Sequence, residues 1–235
     1  MVAATRRCSF VQLSVDGDEA DHDFIRGVGA FQGAMRAMGA LAARGVAIHV
    51  NMVMTRRNSG KIVDAAKRIL ETYPVQRLRI NPVDTDLEEF RPTAVQLAEN
   101  MVSLREVAKA HRGVVHGGLF RLLKAIRRPD DFPESCNDLL GADCAVRFDG
   151  SIIPCINAVD QVMGNVKDGH FLELWLHSEK WQEFRGAPLP SWSTPEKCRA
   201  CPYLRHCNPS CKAGRMAEKY CLREIREALP EELRK

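Results

Sequence analysis

The chain has 235 residues, room for one large domain or two small ones. With 45% hydrophobic and 27% charged residues it reads as folded, and its net charge of +4 is spread over scattered Lys and Arg, which predicts no nucleic-acid partner. Apolar runs too short to cross a bilayer, and an opening MVAATRRCSF with no apolar stretch after its arginines, predict a cytoplasmic protein with no membrane partner.

In chain order, FVQLSV (10–15) predicts a strand that ends in a turn at SVDG. Phe31, Met35, Met38 and Leu41 recur at helical spacing, so 28–44 is expected to be a helix stopped by Gly45. VAIHVNMVM (46–54) is a second strand, and Ser59 is the expected cap of a helix with Ile62, Val63, Ala66, Ile69 and Leu70 on one face. VQRLRIN (75–81) is a third strand, closed by Pro82. Strand–helix–strand–helix–strand predicts an α/β fold with a parallel sheet and right-handed crossovers. Thr93 should cap a long helix to about His111, and 119–128 a short one.

PDDFP (129–133) marks a boundary, giving expected domains at 1–128 and 129–235. Past it, CAVRF and SIIPC predict two short strands joined at Asp149-Gly150, a hairpin signal. FLELWLHSEKWQEF (171–184) has the pattern of one amphipathic helix, 186–195 is a proline-rich linker, and 212–229 is expected to be helical.

Nine cysteines are many for a chain without an export signal, where disulfides do not persist. Cys8 stands alone on the first strand, where it reads as core. The other eight lie between 136 and 221, and Cys198-x2-Cys201-x5-Cys207-x3-Cys211, followed by Cys221, is the strongest signal in the sequence. Close pairs on turns let sulfurs converge at small loop-closure cost. Eight thiolates divide into two sites of four, and on spacing alone zinc and iron–sulfur centres fit such sites equally well.

The arrangement resembles the SPASM domain, the auxiliary-cluster module of many radical S-adenosylmethionine (SAM) enzymes. Cys136, Gly150-x4-Cys155, the run Cys198 to Cys211 and Cys221 follow that family's pattern. The resemblance implies two [4Fe–4S] clusters, one held by Cys136, Cys144, Cys155 and Cys211, the other by Cys198, Cys201, Cys207 and Cys221. Two departures stand out. Cys144 lies closer to the hairpin glycine than its counterpart, and were it turned into the core, the first cluster would keep an open iron site. Asn208, Pro209 and Ser210 fill the last spacer, where the family often has glycines. Ile156 occupies the position of the Asp that serves as a base in anaerobic sulfatase-maturating enzymes, which argues against that subclass.

VQLSVDGDEADHDFIRG is similar to a strand of radical SAM barrels, and the resemblance implies Ser14, then Asp16, as cofactor contacts. His22 and Arg26 read as surface or local-pairing residues. The expected fold is thus the second half of a radical SAM β/α barrel followed by a small α+β SPASM domain. The family's Cys-x3-Cys-x2-Cys segment is not in this chain, since only seven residues precede Cys8. That implies a truncated piece from which three β/α units are absent, able to use SAM only if the missing half is supplied. Three parallel strands cannot close a barrel, so an open edge and inner face should self-associate or dock on a partner chain. The implied function is that of the carboxy-terminal portion of a radical SAM/SPASM enzyme, modifying a peptide or protein with help from an electron donor. The alternative is a non-catalytic electron-transfer or peptide-binding subunit.

Overall fold

The structure, a computed structural model, describes residues 9–127, 144–155, 159–186, 200–203 and 220–234. The chain separates into two compact units, Met1–Arg128 together with Leu222–Lys235, and Pro129–Cys221.

In the first unit, β1 (Val11–Ser14), β2 (Ile48–Met54), β3 (Val75–Pro82) and β4 (Val115–His116) form one parallel sheet in sequential order. The alternation in β2 decides its faces. Ile48, Val50, Met52 and Met54 are buried, while His49, Asn51 and Val53 between them stay half-exposed. In β3, Leu78, Ile80 and Pro82 bury the matching face. Side chains alternate along a strand, so one face of the sheet is apolar and the other polar.

Helices cover the apolar face. α1 (Glu19–Arg26) and α2 (Ala30–Ala42) pack on each other, and α2 reaches β1 and β2. α3 (Ile62–Thr72) lays Ile62, Val63, Ala66 and Ile69 inward and meets β3. α4 (Ala94–Ala110) begins with a capping box: Thr93 Oγ1 accepts from Gln96 N–H, and Thr93 N–H donates to the Gln96 side chain. α5 (Gly118–Arg127) follows β4 and packs on β3. From the far end of the chain, α8 (Leu222–Ala228) returns to pack on α4 and α5, and α9 (Glu231–Arg234) on α5, burying Leu222, Ile225, Leu229 and Leu233. α8 falls inside the predicted helix 212–229, whose residues 212–219 lie outside the described ones.

Several expectations change. The parallel sheet has four strands, not three, because the two-residue β4 is too short to show a pattern in sequence. α1 went unforeseen although Asp18 caps it, its Oδ1 accepting from Asp21 N–H at 3.0 Å, with Glu19 and Asp21 in the first turn. Ser59 does not cap α3: its hydroxyl donates to Arg56 O, and the helix starts at Ile62 without a side-chain cap.

The second unit holds a small antiparallel sheet of β5 (Ala145–Val146), β6 (Ser151–Ile153) and β7 (Gly164–Asn165). Asp149-Gly150 turns β5 into β6 as predicted. Gly150 has φ 90°, and a Cβ there would lie 2.6 Å from Asn165 Oδ1, so glycine is required on both counts. The predicted helix at 171–184 is two: α6 (Phe171–His177) and α7 (Glu179–Gly186), broken at Ser178, which is extended (ψ 144°) and accepts from Trp181 and Gln182 N–H groups to start the second. The break turns Trp181 fully inward onto Ile152 and Met163.

Candidate functional site

Two sets of residues carry chemistry, one in each unit.

In the first, the polar face of the sheet is layered by the strand register. Ser14 pairs with Asn51, Asn51 with Arg79 and Arg79 with His116, so these four form one row across the sheet. Gln12, His49 and Arg77 form the row toward the strand starts. Toward the carboxyl ends stand Val53 and Asn81. Asn81 ties two elements together: its Nδ2 donates to Asn51 Oδ1 at 2.9 Å, and its Oδ1 accepts from Gly118 N–H at 2.7 Å. Gly117 and Gly118 allow this approach, since a Cβ on Gly118 would lie 2.8 Å from Asn81 Oδ1. Ligands of β/α sheets bind at this end, outside the carboxyl ends of the strands.

Ser14 is half-buried on that face, and no acceptor or donor for its hydroxyl occurs among the described residues. Asp16 is fully buried. Its Oδ1 accepts from Val53 N–H at 2.8 Å, its Oδ2 pairs with Arg26, and its backbone carbonyl accepts from Asn58 Nδ2 at 2.7 Å. Asn58 also donates to Val53 O and accepts from Thr55 N–H, so this one amide fastens the ends of β1 and β2. Asp16 therefore turns no surface outward; it fixes the strand end from which Ser14 projects.

His22 is buried, not on the surface. Its Nδ1 accepts from Asp16 N–H at 3.0 Å, which leaves the proton of the neutral ring on Nε2. Burial holds its imidazole below the ordinary value, outweighing the opposing pull of Asp16, and Arg26 adds to the depression. Arg26 makes the local pair expected of it, to Asp16. Sequence reasoning missed Asn58, whose signal was its place in the β2–α3 turn, TRRNSG.

His49 stacks on Phe10 with ring centroids 4.0 Å apart. Its imidazole also lies below the ordinary range, first through burial, then through the positive charges of Arg77, Arg79 and His116.

In the second unit, Cys144 directly precedes β5, and Cys155 follows β6 by two residues. Ala145 opposes Ile153, so both cysteines sit at the open end of the hairpin. Cys144 packs at the edge of the cluster around Ile152, Met163 and Trp181. Cys201 and Cys221 are also half-buried, and none of these four forms a disulfide. Cys8, Cys136, Cys198, Cys207 and Cys211 lie outside the described residues. Each expected ligand set thus has two members described, too few for three metal-ligating side chains of one set to be seen together; among the described residues no such group of three occurs. Half-buried thiols at a hairpin end, outside disulfides, fit soft-metal ligation. No helix among the described residues is long and apolar enough to cross a membrane.

A parallel α/β sheet with one polar face shares this chain with half-buried thiols at a hairpin end, an arrangement that fits a metallocofactor-binding protein. Residues 136–202 match the SPASM family, an iron–sulfur cluster-binding domain. The chain is 31% identical to the mycofactocin maturase MftC of Mycobacterium ulcerans, over 92% of this chain and 58% of that protein. It is 27% identical to an AdoMet-dependent heme synthase of Oleidesulfovibrio alaskensis, over 90% of this chain and 58% of the relative. To a PqqA peptide cyclase of Streptomyces rochei it is 29% identical, over 85% and 55%. Among solved structures, anSMEcpe with bound AdoMet shares the fold with a TM-score of 0.65 at 19% identity, covering 97% of this chain and 68% of that one. The chain belongs to the radical SAM/SPASM family, and it spans about half the length of the curated relatives it matches.

Proposed function

We propose that this protein takes part in the radical-based modification of a peptide, holding two auxiliary [4Fe–4S] clusters through the cysteines between 136 and 221. The likeness to a maturase along 92% of the chain, backed by a peptide cyclase, carries the reading. Bound clusters supply one-electron transfer, and S-adenosylmethionine supplies hydrogen-abstracting power.

The protein's own residues hold and orient. Cys144, Cys155, Cys136 and Cys211 make one thiolate set, and Cys198, Cys201, Cys207 and Cys221 the other. Cys144 and Cys155 are brought together by a hairpin that turns at Gly150. Ser14 offers its hydroxyl to the nucleoside cofactor at the end of β1. Asp16, tied to Val53 and Arg26, keeps that strand end in place.

Anaerobic reconstitution tests the clusters: about eight irons per chain are expected, falling to about four in Cys201→Ala or Cys144→Ala. Stoichiometric zinc with no iron would overturn the iron–sulfur assignment. Coexpression with short peptides encoded beside the gene tests the substrate class. A peptide mass change that disappears in the cysteine variants is expected, and iron-loaded protein that leaves every such peptide unchanged would count against it.

A further inference from the structure

The polar face of the sheet carries positive charge and no acid to answer it. Arg77 and Arg79 are two residues apart on β3, an interior strand, and so point to the same side, about 7 Å apart along the strand. In register beside them stand His49 and Asn51 on β2 and His116 on β4. Among the described residues neither guanidinium has an ion-pair or hydrogen-bond partner. Asp16, just past the end of β1, is buried and already held by Arg26. Asn51 is similarly half-used: its Oδ1 accepts from Asn81, which fixes the amide's orientation, and its Nδ2 has no acceptor among the described residues. The His49 imidazole, lowered first by burial, is lowered further by Arg77, Arg79 and His116.

Donors on a half-exposed face that no group among the described residues engages are open to a ligand. A planar guanidinium beside an amide N–H matches a carboxylate, which can take two parallel hydrogen bonds from Arg. We infer that this face binds a carboxylate of the peptide substrate, gripped by Arg79 with Asn51 and steered by Arg77. The inference rests on the peptide reading above; the charge pattern alone asks for an anion. A side-chain or terminal carboxylate would suit, and the row lies beside Ser14, so a substrate held there adjoins the proposed cofactor position.

The test uses the full chain, reconstituted, with N-acetyl-trialanine as free acid and as C-terminal amide. Binding is read from the ring-proton NMR signals of His49 and His116. Saturable shifts are expected with the acid, about tenfold weaker with the amide, the loss of one charge-assisted pair. Arg79→Gln should abolish the preference for the acid, Arg79→Lys should keep part of it, and Arg77→Gln should weaken it less. These side chains lie on the half-exposed face, and an unchanged melting temperature verifies that each variant folds. Equal shifts with acid and amide, or an acid preference that survives Arg79→Gln, would overturn the inference. Displacement of the peptide acid by S-adenosylmethionine at lower concentration would also overturn it by giving the row to another carboxylate. Iron is counted in the same sample: full iron without acid preference defeats this inference alone, whereas absent iron defeats the cluster reading.

Discussion

The two units are ordered by different means. The first buries a long row of side chains, including Met38, Ile48, Met52, Met54, Leu78, Ile80, Leu97, Met101 and Leu104, each at 1% exposure or less, between a parallel sheet and its helices. The described core of the second is Ile152, Met163 and Trp181, with a few half-buried neighbours around strands of two or three residues. Apolar burial of the first kind supports a domain by itself, while so small a cluster calls for a staple. The cluster ligation proposed above supplies one, since thiolate–metal bonds made only in the folded state contribute directly to folding.

The comparison breaks most visibly on metal removal. Chelating the iron should raise amide exchange in β5, β6 and β7 by orders of magnitude while leaving β1, β2 and β3 protected, as read by hydrogen-exchange mass spectrometry. Equal loss in both units would show that the first also depends on the clusters. Next in size, Leu78→Ala should cost the first unit about 2–5 kcal/mol by opening a cavity under β3, with iron content unchanged. A smaller effect is expected at the α4 start: Thr93→Ala removes half of the capping box and should cost about 1 kcal/mol in thermal unfolding.

The smallest difference at neutral pH concerns His22 and grows on acidification. Its folded pKa is lowered by burial, so the unfolded chain takes up a proton first. Stability of the first unit is therefore full above the ordinary imidazole value of about 6.5 and declines as the pH falls through it toward the lowered one. Protonation of Nδ1 would also displace the Asp16 N–H. His22→Gln should flatten that slope in chemical denaturation, and an unchanged slope would assign it to another group.

How legible the molecule was differs between the units. Alternation in IHVNMVM and apolar spacing in IVDAAKRIL placed β2 and α3 because burial on one face leaves a periodic mark. β4 left none: two residues, Val115 and His116, join the sheet by register with Leu78 and Arg79 alone. The face expected to self-associate or dock on a partner chain carries Ser14, His49, Asn51, Arg77, Arg79 and Asn81, a polarity that strand alternation would have revealed if both faces had been tracked. The cysteine spacing gave a metal-site reading, because ligands close in sequence are close in space, and the resemblance to SPASM domains made it iron–sulfur. Asn58 and His22 stayed obscure because their partners are set by turns in the folded chain.

Sequence by itself determined β1, β2 and β3 with α2 and α3 between them, where the hairpin turns, and which thiols are available to a metal, since each follows from local pattern and chemistry. Tertiary structure decided what those segments meet. It sent the helix after Cys221 back to α4 and α5, broke 171–184 at Ser178 to bury Trp181, and aligned Asn51, Arg79 and His116 in one row. These outcomes join residues far apart in the chain, and register and packing, which no local window contains, are what select them.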